Sequence, residues 1–306
     1  MTWHARDLGR LNGHTFVVTG ANSGIGFAVA RGLVERGGHV VLAVRDTARG
    51  EAAAARLEGP GTTTVVELDL ADLDQIADCS RGLLATAGDL SALICNAGVM
   101  GGPLLLSAQG FERQMATNHL GHTALIAGLW PRLQAGGSRV VIMSSTEARA
   151  GRLSARTTVE HLVDPTPYEG RQVYRDSKQA NLLFAQELHR RCQAAGSPVS
   201  AVAVHPGASA TNLFARQLAQ AGHDRLAALS KIATAVVLQS AAAGALSTLR
   251  ALDARTPSGA FIGPSALGQS RGRPKLLTVY PSGADSATAA WLWTLTEEIL
   301  RRRLPV

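Results

Sequence analysis

Apolar residues in this chain fall into short β-branched runs, separated by stretches in which they recur every three or four positions. Phe16, Val17 and Val18 run into the glycine-rich turn Thr19-Gly20-Ala21-Asn22-Ser23-Gly24-Ile25-Gly26, and Ile25, Val29 and Leu33 then follow at helical spacing as far as Gly37-Gly38. This predicts strand, tight turn and helix. The alternation continues, with strands predicted over 39–44, 64–68, 90–95, 139–143 and 199–204 and helices over about 47–57, 73–84, 111–133 and 171–192. Residues 146–170 read as irregular, 212–252 as alanine-rich helices, 260–262 as a short strand and 287–303 as a closing helix. Strands alternating with helices at this spacing predict an α/β fold, a doubly wound parallel sheet of about seven strands flanked by helices.

No Ser/Pro-rich linker or low-complexity break divides the 306 residues, so 1–306 reads as a single domain with a substantial core. Cys79, Cys95 and Cys192 are widely spaced and odd in number, which fits a reduced, cytoplasmic protein better than a disulfide framework or a metal cluster. The first residues carry His4, Arg6, Asp7 and Arg10, and no signal peptide is expected. The uncharged, alanine-rich stretch 232–249 contains Thr234, Gln239, Ser240, Ser247 and Thr248 and suits a buried helix rather than a membrane span. A net charge of +7 could suggest a nucleic-acid partner, but the arginines are scattered and aromatics are few. Only Arg301-Arg302-Arg303 forms a run, which a solvated terminal helix explains, so no nucleic acid is expected.

Ligands of open parallel sheets bind outside the carboxyl ends of the strands. The apolar runs end at Gly20, Arg45, Asp69, Asn96, Ser145 and Pro206, which are expected to line one crevice. The first turn suits a dinucleotide: glycines permit positive φ and close approach of a pyrophosphate, and the helix N-terminus offers unpaired N–H groups. Its spacing, G-x3-G-x-G, is looser than G-x-G-x-x-G, and a glycine turn between strand and helix can also be only a turn. Tyr174-Arg175-Asp176-Ser177-Lys178 is a sharper signal. Positions i and i+4 share a helix face, which puts an ammonium beside the phenol, favouring tyrosinate and lowering a pKa ordinarily near 10. A surface pair is the plain alternative, but three tyrosines and three lysines give a chance expectation of only about 0.03 such pairs. Tyr168 has Gln172 at i+4 and cannot play this part. His119-x2-His122 has no cysteine or carboxylate to complete a ligand set, so it reads as helix packing and no metal is expected.

Thr19-Gly20-x3-Gly24-Ile25-Gly26, Asn96-Ala97-Gly98, Asn118, Ser145, Tyr174-x3-Lys178 and Pro206-Gly207-x3-Thr211 together resemble the short-chain dehydrogenase/reductase family, over about 13–212. Asn118-His119-Leu120-Gly121-His122, Asn181-Leu182-Leu183-Phe184, Gly263-Pro264 and Gly272-Arg273-Pro274 resemble its retinol-dehydrogenase and protochlorophyllide-reductase-like branch. The resemblance implies a single Rossmann-type domain with a catalytic tetrad of Asn118, Ser145, Tyr174 and Lys178. By the same resemblance, Tyr174 is the proton donor or acceptor and Ser145 polarises the substrate carbonyl. Lys178 lowers the pKa of Tyr174 and bonds the nicotinamide ribose, and Asn118 holds a water linking Lys178 to solvent. It further implies that Gly20, Asn22, Ser23, Gly24, Ile25, Gly26, Asn96, Ala97, Gly98, Pro206, Gly207 and Thr211, with Tyr174 and Lys178, hold the dinucleotide, and that Asp69 and Leu70 meet the adenine.

Coenzyme choice turns on Val44-Arg45-Asp46. An acid at the end of the second strand would accept from a ribose 2′-hydroxyl, whereas an arginine suits a 2′-phosphate, so NADP is expected over NAD unless Arg45 is taken up by a nearby acid. Two departures from the family pattern stand out. Cys95 replaces a frequent asparagine, and Ser145 and Tyr174 lie 29 residues apart, about twice the usual family spacing, as in its retinol-dehydrogenase-like members. The extra segment, 146–170 with Pro165 and Pro167, is expected over the crevice, where it would shape the pocket or disturb the family's helix-pair homo-oligomer, and 257–274 is the other expected pocket wall. The expected activity is hydride transfer between NADP(H) and a lipophilic carbonyl or alcohol. An NADPH-dependent double-bond reductase and a non-catalytic dinucleotide-sensing scaffold are the alternatives.

Overall fold

The computed structural model describes residues 3–86, 88–208 and 239–306. One sheet contains β1 (Thr15–Thr19), β2 (His39–Val44), β3 (Thr62–Glu67), β4 (Ala92–Cys95), β5 (Arg139–Met143), β6 (Ser200–Val204), β7 (Phe261–Ala266) and β8 (Arg271–Leu277). Their order is β3-β2-β1-β4-β5-β6-β7-β8. Neighbours pair in parallel except β7 and β8, which are antiparallel. The connecting helices are α1 (Gly24–Val34), α2 (Thr47–Ala54), α3 (Leu73–Thr86), α4 (Gly121–Ala135), α5 (Gly170–Ala194), α6 (Ala241–Ala251) and α7 (Ser286–Leu300).

Alternate side chains of the central strands enter two different cores. Val17, Val41, Leu93, Val140, Ile142 and Ala203 pack with Ile76, Leu129, Leu182 and Leu188 from α3, α4 and α5. Phe16, Val18, Val40, Leu42, Ile94, Val141 and Val202 pack on the opposite face with Val29, Leu33 and Leu249 from α1 and α6. A strand buried on both faces cannot afford a polar side, which is why β2 and β5 read as unbroken apolar runs.

The order reverses between β1 and β4, the place where ligands enter such sheets. The residues expected at the strand ends lie there: Gly20 follows β1, Asn96 follows β4, and Ser145 stands two residues beyond β5.

Three expectations change. The sheet has eight strands rather than about seven, because the 257–274 stretch is largely the β7–β8 hairpin and not a loop. Arg271, Gly272, Arg273 and Pro274 show no apolar alternation, and a proline is tolerated at a sheet edge. The helix expected over 111–133 is a composite of Arg113–Met115, a π turn at Ala116–Leu120 and α4. The irregular segment 146–170 contains a 3-10 turn at Thr146–Ala150 and a short helix at Val159–Val163. Of the alanine-rich 212–252 stretch only the end lies in the described residues, where it forms α6. Among the described residues no helix is long and apolar enough to cross a membrane.

Candidate active site

The glycine turn is shaped by close backbone approach. Gly20 and Gly24 have φ of 65° and 57°, values that favour glycine. A Cβ on Gly26 would stand 2.4 Å from the Gly20 carbonyl oxygen and 2.5 Å from Asn96 Nδ2. Thr19 clasps the opposite side of the switch point: its Oγ1 accepts the N–H groups of Asn96 and Ala97, each at 2.9 Å. Asn96 Nδ2 returns a bond to the Thr19 carbonyl, also at 2.9 Å. Ser23 is the N-cap of α1 but its hydroxyl makes no capping bond, so the first helical N–H groups carry no side-chain cap. Asn22, before it, and Ile25, after it, complete the turn. This cradle, with room only for hydrogen at Gly26 and a helix N-terminus beside it, fits the pyrophosphate of a dinucleotide.

Arg45, directly after β2, is three-quarters exposed, and its nearest acid is Asp69 at 3.9 Å. Asp69 Oδ1 meanwhile accepts from the Ala71 N–H at 2.9 Å. Leu70 is buried, and its carbonyl lies so close to Gly121 that a Cβ there would clash with it. Pro206 and Gly207 follow β6; the Gly207 N–H donates to His205 Nδ1 at 3.2 Å and its φ is 73°. Thr211 lies outside the described residues.

Helix α5 brings Tyr174, Ser177 and Lys178 to the ends of β4 and β5. Lys178 is buried, with its Nζ donating to the Met143 carbonyl at 3.2 Å and standing 5.8 Å from the Tyr174 ring centre. Gly98 makes space for it, since a Cβ there would come within 3.3 Å of Nζ and 3.1 Å of Asn118 Oδ1. Asn118 sits in the π turn with its amide fully engaged. Oδ1 accepts from the Val99 N–H at 2.8 Å, and Nδ2 donates to the Val99 carbonyl and to Ser177 Oγ, each at 2.9 Å. Ser177 in turn donates to the Tyr174 carbonyl at 2.8 Å. Asn118 therefore splints the segment after Gly98 to the tyrosine helix. At the end of β5, Ser144 donates to the Lys178 carbonyl at 2.7 Å, and Ser145 Oγ accepts from the Glu147 N–H at 3.2 Å.

The electrostatics correct one expectation. Tyr174 is pushed up to about 12, because burial disfavours the phenolate more than a hydrogen bond from Ser145 favours it, and the Glu147 carboxylate adds to the rise. Burial also pulls Lys178 down to about 8. Adjacency alone pointed to a lowered tyrosine; the desolvation that a complete fold imposes on both groups outweighs it. Near pH 7 the site thus presents a neutral phenol O–H, able to donate, beside a lysine that is mostly charged.

His122, which reads from the sequence as helix packing, bridges the two halves of the site. Its Nδ1 lies 3.1 Å from the Asn118 carbonyl and its Nε2 2.9 Å from Thr19 Oγ1. A carbonyl only accepts, so Nδ1 carries the proton. With the proton on Nδ1, Nε2 of the neutral ring can only accept, so the Thr19 hydroxyl donates to it at 2.9 Å in preference to the Ile94 carbonyl at 3.3 Å. Burial holds this imidazole neutral, with its pKa down at about 3. His119 faces other partners, Asn181 at 3.3 Å and Thr296 at 3.2 Å. The histidine spacing on the helix was the visible signal; the partner Thr19, about a hundred residues away, was not.

Comparison with known proteins gives the family of the chain. Residues 14–156 match the short chain dehydrogenase family model. Human retinol dehydrogenase 11 is 41% identical over 202 residues, 65% of this chain, and the chain spans 62% of that relative's length. Among solved structures, an uncharacterized protein from Mycobacterium paratuberculosis is 38% identical with a TM-score of 0.81, covering the whole of both chains. A short-chain dehydrogenase from Sphingobium yanoikuyae, solved in complex with NADPH, is 26% identical with a TM-score of 0.61, over 80% of this chain and 86% of its own. Sequence motifs, sheet order and relatives converge: the chain belongs to the short-chain dehydrogenase/reductase family, on its retinol-dehydrogenase-like branch.

Proposed function

We propose that the protein is an NADP(H)-dependent oxidoreductase that interconverts a lipophilic carbonyl compound and its alcohol. The observation that carries this reading is the buried Tyr174–Lys178 face of α5, which stands against Ser145 beside the switch point of the sheet. Gly20, Gly24, Gly26 and the start of α1 would hold the pyrophosphate, and Arg45, weakly engaged by Asp69, would meet a 2′-phosphate. The Sphingobium relative's NADPH supports that coenzyme. Leu104, Leu105 and Leu106, on the segment leading from Gly98 to the Asn118 helix, stay exposed and favour an apolar substrate.

When bound, the coenzyme supplies a hydride to the carbonyl carbon. Ser145 and Tyr174 present hydroxyls to the oxygen on which negative charge grows, and Tyr174 passes its proton to that oxygen. Lys178 places positive charge behind the phenol as it becomes phenolate. Asn118, Ser177 and His122 keep these groups in register. The test is turnover of a panel of aldehydes, ketones and activated alkenes with NADPH or NADH, followed by absorbance of the reduced nicotinamide. Reduction of apolar carbonyls with NADPH supports the proposal. Exclusive reduction of alkenes, or coenzyme binding without any turnover, would replace it.

A further inference from the structure

Residues 146–170 join Ser145 to the helix of Tyr174, so whatever anchors that segment sets the space between the two groups. The anchor is a buried polar cluster at the start of the Asn118 helix. Gln114 is 1% exposed, and its amide meets three partners on two segments of the chain. Oε1 accepts the Gly101 N–H at 2.7 Å, and Nε2 donates to the Tyr168 hydroxyl at 3.0 Å and the Gly170 carbonyl at 2.8 Å. Because the Tyr168 oxygen accepts from Gln114, its own proton points to Glu112 Oε1 at 3.2 Å. The other carboxylate oxygen caps the Met115 N–H at 2.7 Å, and the Glu112 backbone N–H donates to the Val163 carbonyl at 2.5 Å. Gly170 opens α5, and in helical register its carbonyl is the partner of the Tyr174 N–H.

We propose that Gln114 and Tyr168, seated on Glu112, form a latch that clamps the 146–170 segment to the Gly101 loop and thereby fixes the carbonyl-binding side of the site. They are positioning residues that leave the coenzyme cradle untouched. Each hydroxyl and amide position in the latch is satisfied, so removing one oxygen leaves both Glu112 and Gln114 short of a partner. This proposal rests on the oxidoreductase reading for its kinetic consequence, but not for its mechanical one.

Tyr168→Phe deletes that oxygen and keeps the ring. For the full chain, KM for an apolar ketone is expected to rise about tenfold, with kcat within about threefold and NADPH affinity within about twofold of wild type. Trypsin cleavage at Arg152 and Arg156, inside the clamped segment, is expected to speed up. An unchanged KM, including one accompanied by a lower melting temperature, would overturn the latch as a positioning device. If the wild type reduces no carbonyl, the oxidoreductase reading fails on its own and the latch is judged by proteolysis. Faster cleavage at the two arginines then supports it, and wild-type cleavage overturns it.

Discussion

Gly26→Ala tests whether the coenzyme cradle depends on backbone approach that only glycine allows. The added Cβ would stand 2.4 Å from the Gly20 oxygen and 2.5 Å from Asn96 Nδ2, against an ordinary separation of roughly 3.5 Å, so about 1 Å must be found. Neither neighbour is free to give it. The Gly20 N–H donates to the Ala43 carbonyl at 2.8 Å, and Asn96 Nδ2 donates to the Thr19 carbonyl at 2.9 Å. Overpacking costs about 1–3 kcal/mol. A broken hydrogen bond costs about 1 kcal/mol more. Alanine's helix propensity returns about 1 kcal/mol. The net is a loss of about 1–3 kcal/mol in stability, and displacement of the turn weakens NADPH binding by about tenfold or more. Gly82→Ala is the control: Gly82 lies on α3 with nothing within 4 Å of its Cβ position, so the variant should gain up to about 1 kcal/mol. Thermal unfolding and calorimetric titration with NADPH read both variants. A Gly26→Ala protein with wild-type stability and affinity would refute the reasoning.

Two other substitutions and one titration probe the rest of the site. Arg45→Asp should lower NADPH affinity about 10- to 100-fold with little loss for NADH, measured by titration of each coenzyme; equal losses would contradict the role given to Arg45. In the reductive direction, Tyr174 stays protonated across the neutral range because its pKa is raised to about 12, while Lys178, depressed to about 8, is charged below that value and neutral above it. The pH profile of kcat/KM should therefore be level between about pH 6 and 7 and fall as pH rises through about 8, and Lys178→Arg should remove that limb. A limb that persists in the arginine variant would assign it to another group.

Local pattern carried much of this architecture. The two-sided burial of β2 and β5 makes their limits legible, and the glycine turn and the Tyr174–Lys178 pair declare themselves because their spacing is short. What was hidden depends on distant partners or on the whole fold. The edge strand β8 lacks alternation because, among the described residues, only one of its long sides is paired. The π turn at Asn118 shifts a helix by a residue without changing its composition. Gln114, Glu112 and His122 owe their importance to Gly170, Tyr168 and Thr19, and no spacing rule connects them. The rise in the Tyr174 pKa comes from desolvation by every element that covers it, so it could not be read from the neighbouring lysine alone.

The central claim is that the buried Tyr174 hydroxyl delivers the proton while other groups hold the coenzyme. Tyr174→Phe removes one oxygen from a site that is otherwise packed. Single-turnover absorbance with NADPH and an apolar ketone, alongside calorimetric titration of NADPH, should show coenzyme binding within about threefold of wild type and a loss of at least about a thousandfold in the rate of nicotinamide oxidation. A variant that oxidises NADPH at the wild-type rate would contradict the account.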